Sequence, residues 1–207
     1  MQNILKENFS DLEKDFPYTI QGKDKEGRPL LLMDFGKWDI NKAAQKGELD
    51  RVLRYFDRMM EEAEMEVAKM QSSGKNVTQW TWLVNQERTA HVNLPSARFY
   101  WYTANVLEQN HPAMASKLFL LNSPPVFNVV MKSVRPIMPS FSNDIFRMYG
   151  DESEWKNQVL DLVDASQLPP SYGGVKGLSK NNAKNNLLVG TFQKEDDGSW
   201  WWAKIFG

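Results

Sequence analysis

Two histidines, His91 and His111, are the only imidazoles in this chain, and it contains no cysteine. That inventory excludes a three-histidine metal site, disulfides, thiolate ligands and a cysteine nucleophile. A histidine-dependent triad has few bases to draw on. Neither a Gly-x-Ser-x-Gly elbow nor a phosphate-cradling glycine loop occurs. His111 precedes Pro112 at an expected helix end, and His91 sits in the polar loop "ERTAHVN" (87–93). Both positions suit structural or surface roles. The acidic pairs Glu61-Glu62 and Asp196-Asp197 fall on a charged helix face and in a turn. Solvation is a commoner use of such pairs than proton transfer. No catalytic residue, metal ligand or cofactor is expected.

What remains is binding chemistry. The 207 residues suit one sizeable α/β domain or a domain with an appendage. With 25 basic and 26 acidic residues the formal charge is −1, which argues against a general nucleic-acid binder. Attraction to a membrane would need a local patch. The N-terminus "MQNILKENFSDLEKDFPY" lacks a signal-peptide core, and no apolar run reaches the ~20 residues of a membrane span. A soluble, cytoplasmic protein is expected. Aromatic residues make up 12%, eight of them Trp, enough ring surface for a deep core or a large apolar pocket.

Several elements can position such a pocket. Leu5, Phe9 and Leu12 predict a short helix over 3–15, and "GKDKEGRP" (22–29) a hairpin-type turn before the strand "LLLMDF" (30–35). Apolar steps of three and four from Leu49 to Met70 predict a long amphipathic helix stopped by Gly74. "VTQWTWLV" (77–84) reads as a strand, 95–109 as a helix, "KLFLL" (117–121) and "DIFRMYG" (144–150) as strands, and "EWKNQVLDLV" (154–163) as a helix. This alternation predicts a mainly parallel sheet flanked by helices. "KGLSKNNAKNN" (176–186) is a polar linker. Asp197-Gly198 then centres a hairpin whose Trp200, Trp201 and Trp202 point to alternate faces. Three segments follow: a short helix to residue 15, a main domain over 16–175, and a linker with a Trp-rich hairpin over 176–207.

The segment "KLFLLNSPPVFNVVMKSVRPIMPSF" (117–141) concentrates the apolar surface. On a helix from Val126, the side chains of Val126, Val130 and Val134 stack, with Phe127 and Met131 beside them. Asn128, Lys132 and Arg135 share the other side, and Pro136 must end or kink the helix. Ile137, Met138 and Phe141 extend the apolar surface. This could be an ordinary core-covering helix, or a lid with a greasy inner face and a basic outer one.

Three stretches carry a resemblance: "FPYTIQGKDKEGRPLLLMDFGKWD", "HPAMASKLFLLNSPPVFNVVMKSVRPIMP" and "LPPSYGGV". In order they present Asp-x-x-Gly-Arg-Pro, an x-Pro helix end, Asn-x-Pro-x-x-Phe, Arg-Pro and Leu-Pro-x-x-Tyr-Gly-Gly. Over about 16–175 the chain resembles the CRAL-TRIO (Sec14-like) lipid-binding domains. The resemblance implies a hydrophobic pocket closed by a mobile gate helix, with Phe127, Val130, Met131, Val134, Ile137 and Phe141 facing lipid. Leu121 and Ser123 would lie at the pocket end of their strand. Trp80, Trp82, Phe99, Tyr102 and Val106 would supply further lining, and Lys132 and Arg135 would contact membrane.

Two departures bear on cargo. Members that bind phosphatidylinositol tend to carry Glu and Lys where this chain has Ala113 and Asp144. A carboxylate in place of an ammonium reverses the interaction with a phosphate. The implied cargo is a less polar lipid, of isoprenoid, tocopherol, retinoid or carotenoid type, though a phospholipid remains open. The family's N-terminal three-helix bundle has no counterpart, so a fragment or a compact variant is expected. The leading expectation is non-enzymatic lipid binding and transfer between membranes, with bound lipid as cargo and transient membrane contact. The alternative is a protein-interaction module on the same fold without regular cargo.

Overall fold

The computed structural model describes residues 4–89, 94–141 and 144–177, and so excludes His91 and the Trp-rich tail. Five strands form one mixed sheet in the order β1-β2-β3-β4-β5: Tyr18–Lys23, Pro29–Met33, Trp80–Asn85, Ala115–Leu121 and Phe146–Met148. β1 pairs antiparallel with β2, and every other pairing is parallel. The helices are α1 (Ile40–Gln45), α2 (Leu49–Ser72), α3 (Leu94–Gln109), α4 (Val126–Val134) and α5 (Glu152–Leu162).

The β1–β2 turn shows why the Asp-x-x-Gly-Arg-Pro string exists. Asp24 is 6% exposed, and its carboxylate accepts from the Glu26 and Arg28 amides, from Arg28 Nε at 2.6 Å and from Thr81 Oγ1 at 2.7 Å. Gly27 takes φ +87°, a conformation that a side chain disfavours. The motif therefore rivets the turn to β3.

Parallel neighbours in sequential order, joined by crossover helices, place α2, α3 and α4 on one face. Strand parity fills that face with Leu31, Met33, Trp82, Val84, Leu118 and Leu120, which join the helices in the larger core. The opposite parity sends Leu30, Leu32, Leu83, Phe119 and Leu121 to the other face, where α5 covers them with Trp155 and Val159.

Residues before β1 do not form the helix expected over 3–15. A 3₁₀ turn at Ile4–Lys6 is followed by further turns. The apolar spacing there serves burial: Phe9 and Leu12 are buried against α2, with the Arg51 guanidinium 5.0 Å from the Phe9 ring centre. β1 and α1 were not anticipated, and β5 is shorter than the 144–150 run suggests. α4 ends at Val134 and tightens into a 3₁₀ turn over Arg135–Ile137, as Pro136 requires.

Candidate functional site

A cavity of about 90 Å³ lies between the sheet and the α3–α4 pair. Trp82 and Val84 from β3, with Gln86 just past its end, form the floor, and Leu118 and Leu120 from β4 lie beside them. Tyr100, Thr103, Ala104 and Leu107 bring in α3, and Val130, Met131 and Val134 roof it from α4. Phe35, Phe56, Phe99 and Phe127 plug much of the space, joined by ring contacts such as Phe35–Phe127 at 6.1 Å. Among the described residues no Lys, Arg, Asp or Glu side chain lines it. Burial pushes the Tyr100 phenol up, so it stays neutral.

Two of the residues that border it carry a buried polar atom with no hydrogen-bond partner among the described residues, Trp82 Nε1 and Gln86 Oε1. Thr103, by contrast, donates to the Tyr100 carbonyl of its own helix at 3.1 Å.

Six of the anticipated lining residues meet at the cavity: Trp82, Phe99, Phe127, Val130, Met131 and Val134. Seven do not. Leu121 belongs to the opposite face, because its parity on β4 differs from that of Leu118 and Leu120. Tyr102 donates to Asp57 Oδ2 at 2.7 Å on α2, and burial raises the Asp57 pKa. Val106 shares that turned-away side of α3. Trp80 lies at the start of β3, its ring centre 6.4 Å from His111. Ser123 follows β4, with its amide donating to the Tyr149 carbonyl. Ile137 and Phe141 pack in the same core without reaching the cavity. Among the residues that sequence reasoning passed over, Val84 and Gln86 follow Trp82 by strand parity. Tyr100, Ala104 and Leu107 share the stripe of Phe99.

The two basic residues near α4 part company. Lys132 is exposed, beside Asn128 and a Val129 that is 69% exposed. Arg135 is half-buried, its guanidinium 5.3 Å from the Phe146 ring centre, and so does not share the outer face with Lys132. His111 is buried and contacts Glu64 Oε1 through Nδ1 at 2.7 Å. Among the described residues no group of three or more His, Asp or Glu could hold a metal, and no described helix is long and apolar enough to cross a membrane.

The Leu-Pro-x-x-Tyr-Gly-Gly segment closes the other face. Tyr172 Oη donates to Asp34 Oδ1 at 2.9 Å, and burial pushes its pKa well above the ordinary value. The Ser171 carbonyl accepts from Asn85 Nδ2 at 3.2 Å. Asn85 Oδ1 accepts from Asn122, whose own Oδ1 accepts from Trp155 Nε1 at 2.8 Å. A Cβ on Gly174 would stand 2.0 Å from the Leu168 carbonyl oxygen, so only glycine fits there.

A mixed sheet with crossover helices on one face, enclosing an uncharged cavity under a short helix bounded by prolines, defines an α/β domain built around an apolar chamber. The CRAL/TRIO domain model matches residues 13–174, and the chain belongs to that family. A phosphatidylinositol/phosphatidylcholine transfer protein of Arabidopsis thaliana, SFH7, is 23% identical over 175 residues, covering 82% of this chain and 31% of its own. A second, SFH4, is 25% identical over 163 residues, covering 77% and 26%. The chain thus spans less than a third of the length of these curated relatives. The crystal structure of Sfh5 matches with a TM-score of 0.63 at 14% identity, covering 91% of this chain and 70% of that one. This likeness supports the fold.

Proposed function

We propose that the chain is a non-enzymatic carrier that binds a hydrophobic lipid beneath α4 and passes it between membranes. The observation that carries this reading is the cavity wall, which among the described residues holds no charged side chain and is apolar apart from a few groups. Desolvation of the cargo supplies the affinity, about 0.8 kcal/mol per buried methylene. Small-molecule pockets usually hold roughly 300–1,000 Å³, so on this reading the space of about 90 Å³ has to widen to take a lipid. Loading requires α4 to move out and the phenylalanine plugs to turn aside. Pro124 and Pro125 before α4, and Pro136 after it, make this helix a unit that can move between two hinges. Its exposed Val129 and Lys132 meet the membrane transiently, the lysine contributing about 1 kcal/mol at an anionic surface. No cofactor takes part.

The relatives named for phosphatidylinositol and phosphatidylcholine transfer support lipid transfer as the general activity. Phosphatidylinositol itself is disfavoured for this chain. Ala113 supplies no side-chain acceptor, and Asp144 is exposed, its carbonyl accepting from Lys117 Nζ. The experiment is uptake from vesicles holding equal phosphatidylinositol, phosphatidylcholine and a neutral isoprenoid. Enrichment of the isoprenoid over phosphatidylinositol is expected, and equal extraction would end the exclusion.

The small cavity also favours a second reading, in which the fold serves as a protein-interaction module without cargo. A chain that takes up none of these lipids would belong to it.

A further inference from the structure

Every residue of β2 and β3 is buried, whereas none of β1 is. β1 lies at the margin of the sheet, and β2 is its only strand neighbour among the described residues. Alternate residues of such a strand turn their N–H and C=O groups outward, ready to pair with another strand. Apolar surface is exposed on both sides of this edge. On one side, Glu62 of α2 accepts from Tyr18 Oη at 2.8 Å, and Met65, three residues further along the same flank, is exposed. On the other, Val175 is exposed, and the adjoining Lys176 donates through Nζ to Gln21 Oε1 at 3.3 Å. The described chain therefore ends beside β1. At the C-terminal end of this strand two lysines meet, and the neighbouring Lys23 ammonium holds the Lys75 pKa below the usual lysine value.

Residues 178–207 lie outside the described ones, and their sequence complements this edge. Strand alternation in "LLVGTF" (187–192) puts Leu187 and Val189 on one face and Leu188 and Phe192 on the other, a pattern that calls for apolar cover on both sides. Glu195-Asp196-Asp197 follows it. The ten steps from Gly177 to Leu187 reach about 33 Å. The six residues of β1 span about 20 Å, so either end is within range. We propose that residues 187–192 pair with the open edge of β1 as a sixth strand parallel to it, with the acidic turn lying over Lys23 and Lys75. The alternating apolar side chains then cover Met65 on one face and Val175 on the other. A tethered segment meets the edge at an effective concentration of about millimolar, which favours it over a second copy of the chain. The inference does not depend on the carrier reading.

The test is residue-resolved amide hydrogen exchange on the full chain, followed by NMR. The outward-facing amides of residues 18–21 are expected to exchange at least about tenfold more slowly than an unpaired backbone. Leu188→Pro combined with Val189→Pro removes two successive donors from the added strand and alters no described residue. It is expected to return those amides to the unpaired rate, while the amides that bond β2 stay slow. Outward amides that exchange freely in the parent would overturn the proposal. Protection that survives the double substitution would also overturn it, and a dependence of that protection on protein concentration would assign the edge to a second copy. Lys75→Glu is expected to weaken the protection at low salt and less so at high salt. An unchanged rate at both would take the acidic turn off the lysines.

Discussion

The two faces of the sheet have opposite characters. On the α5 face several buried polar groups are matched, Trp155 to Asn122, Asn85 to Ser171 and Tyr172 to Asp34, while the Tyr149 hydroxyl and the neighbouring Ser123 Oγ are not. On the α4 face a cavity remains, and Trp82 and Gln86 keep unmatched atoms. The first face is closed by matched polar contacts, and the second keeps a space between the sheet and its helices. Two sequence motifs fall on the closed side. Asp-x-x-Gly-Arg-Pro rivets β1–β2 to Thr81, and Leu-Pro-x-x-Tyr-Gly-Gly latches the end of the domain. They secure the scaffold.

Substitutions can break this contrast, beginning where the packing is tightest. Gly174→Ala forces a methyl onto the Leu168 carbonyl and is expected to cost about 3 kcal/mol, read as a lower denaturation midpoint. Tyr172→Phe leaves Asp34 Oδ1 without its donor and is expected to cost about 1–2 kcal/mol in the same assay. Both variants should keep cargo selectivity in whatever fraction stays folded. A stability change under ~0.5 kcal/mol in either would remove the latch.

On the other face the effects should reverse, with function lost and stability kept. Ala104 borders the cavity, and Ala104→Leu fills space there. Its stability is expected to stay within about 1 kcal/mol of the parent, while lipid uptake disappears. Uptake at the parental level would place the cargo elsewhere. The smallest effect belongs to the surface. Lys132→Glu should slow delivery to anionic vesicles about fivefold per unit of charge and leave neutral vesicles unaffected. Unchanged delivery to both would take Lys132 out of membrane contact.

Much of this fold is legible in the sequence, because helical and strand periods directly encode which faces are buried. The long α2 stripe from Leu49 and the break at Pro136 are examples. Boundaries and short pieces are harder to read. Phe9 and Leu12 mimic helical spacing yet belong to turns, since burial against α2 needs apolar side chains and no particular backbone. The wall of the site was half legible. Adjacent residues on a strand look alike in composition, so Leu121 drew attention by its place near the strand end while parity sent it to α5. On α3 two residues, roughly 200° of rotation, separate Tyr100 and Ala104, which reach the cavity, from Tyr102, which bonds α2. Gln86 was passed over because a polar residue after a strand usually signals a loop. Only three-dimensional burial shows that it faces inward.

The most direct test of the central claim is native mass spectrometry of the freshly purified chain, followed by organic extraction. The account predicts a discrete adduct, one lipid per chain, that is lost in Ala104→Leu. An empty protein that also takes up nothing from vesicles would contradict it and leave the interaction module as the function of this fold.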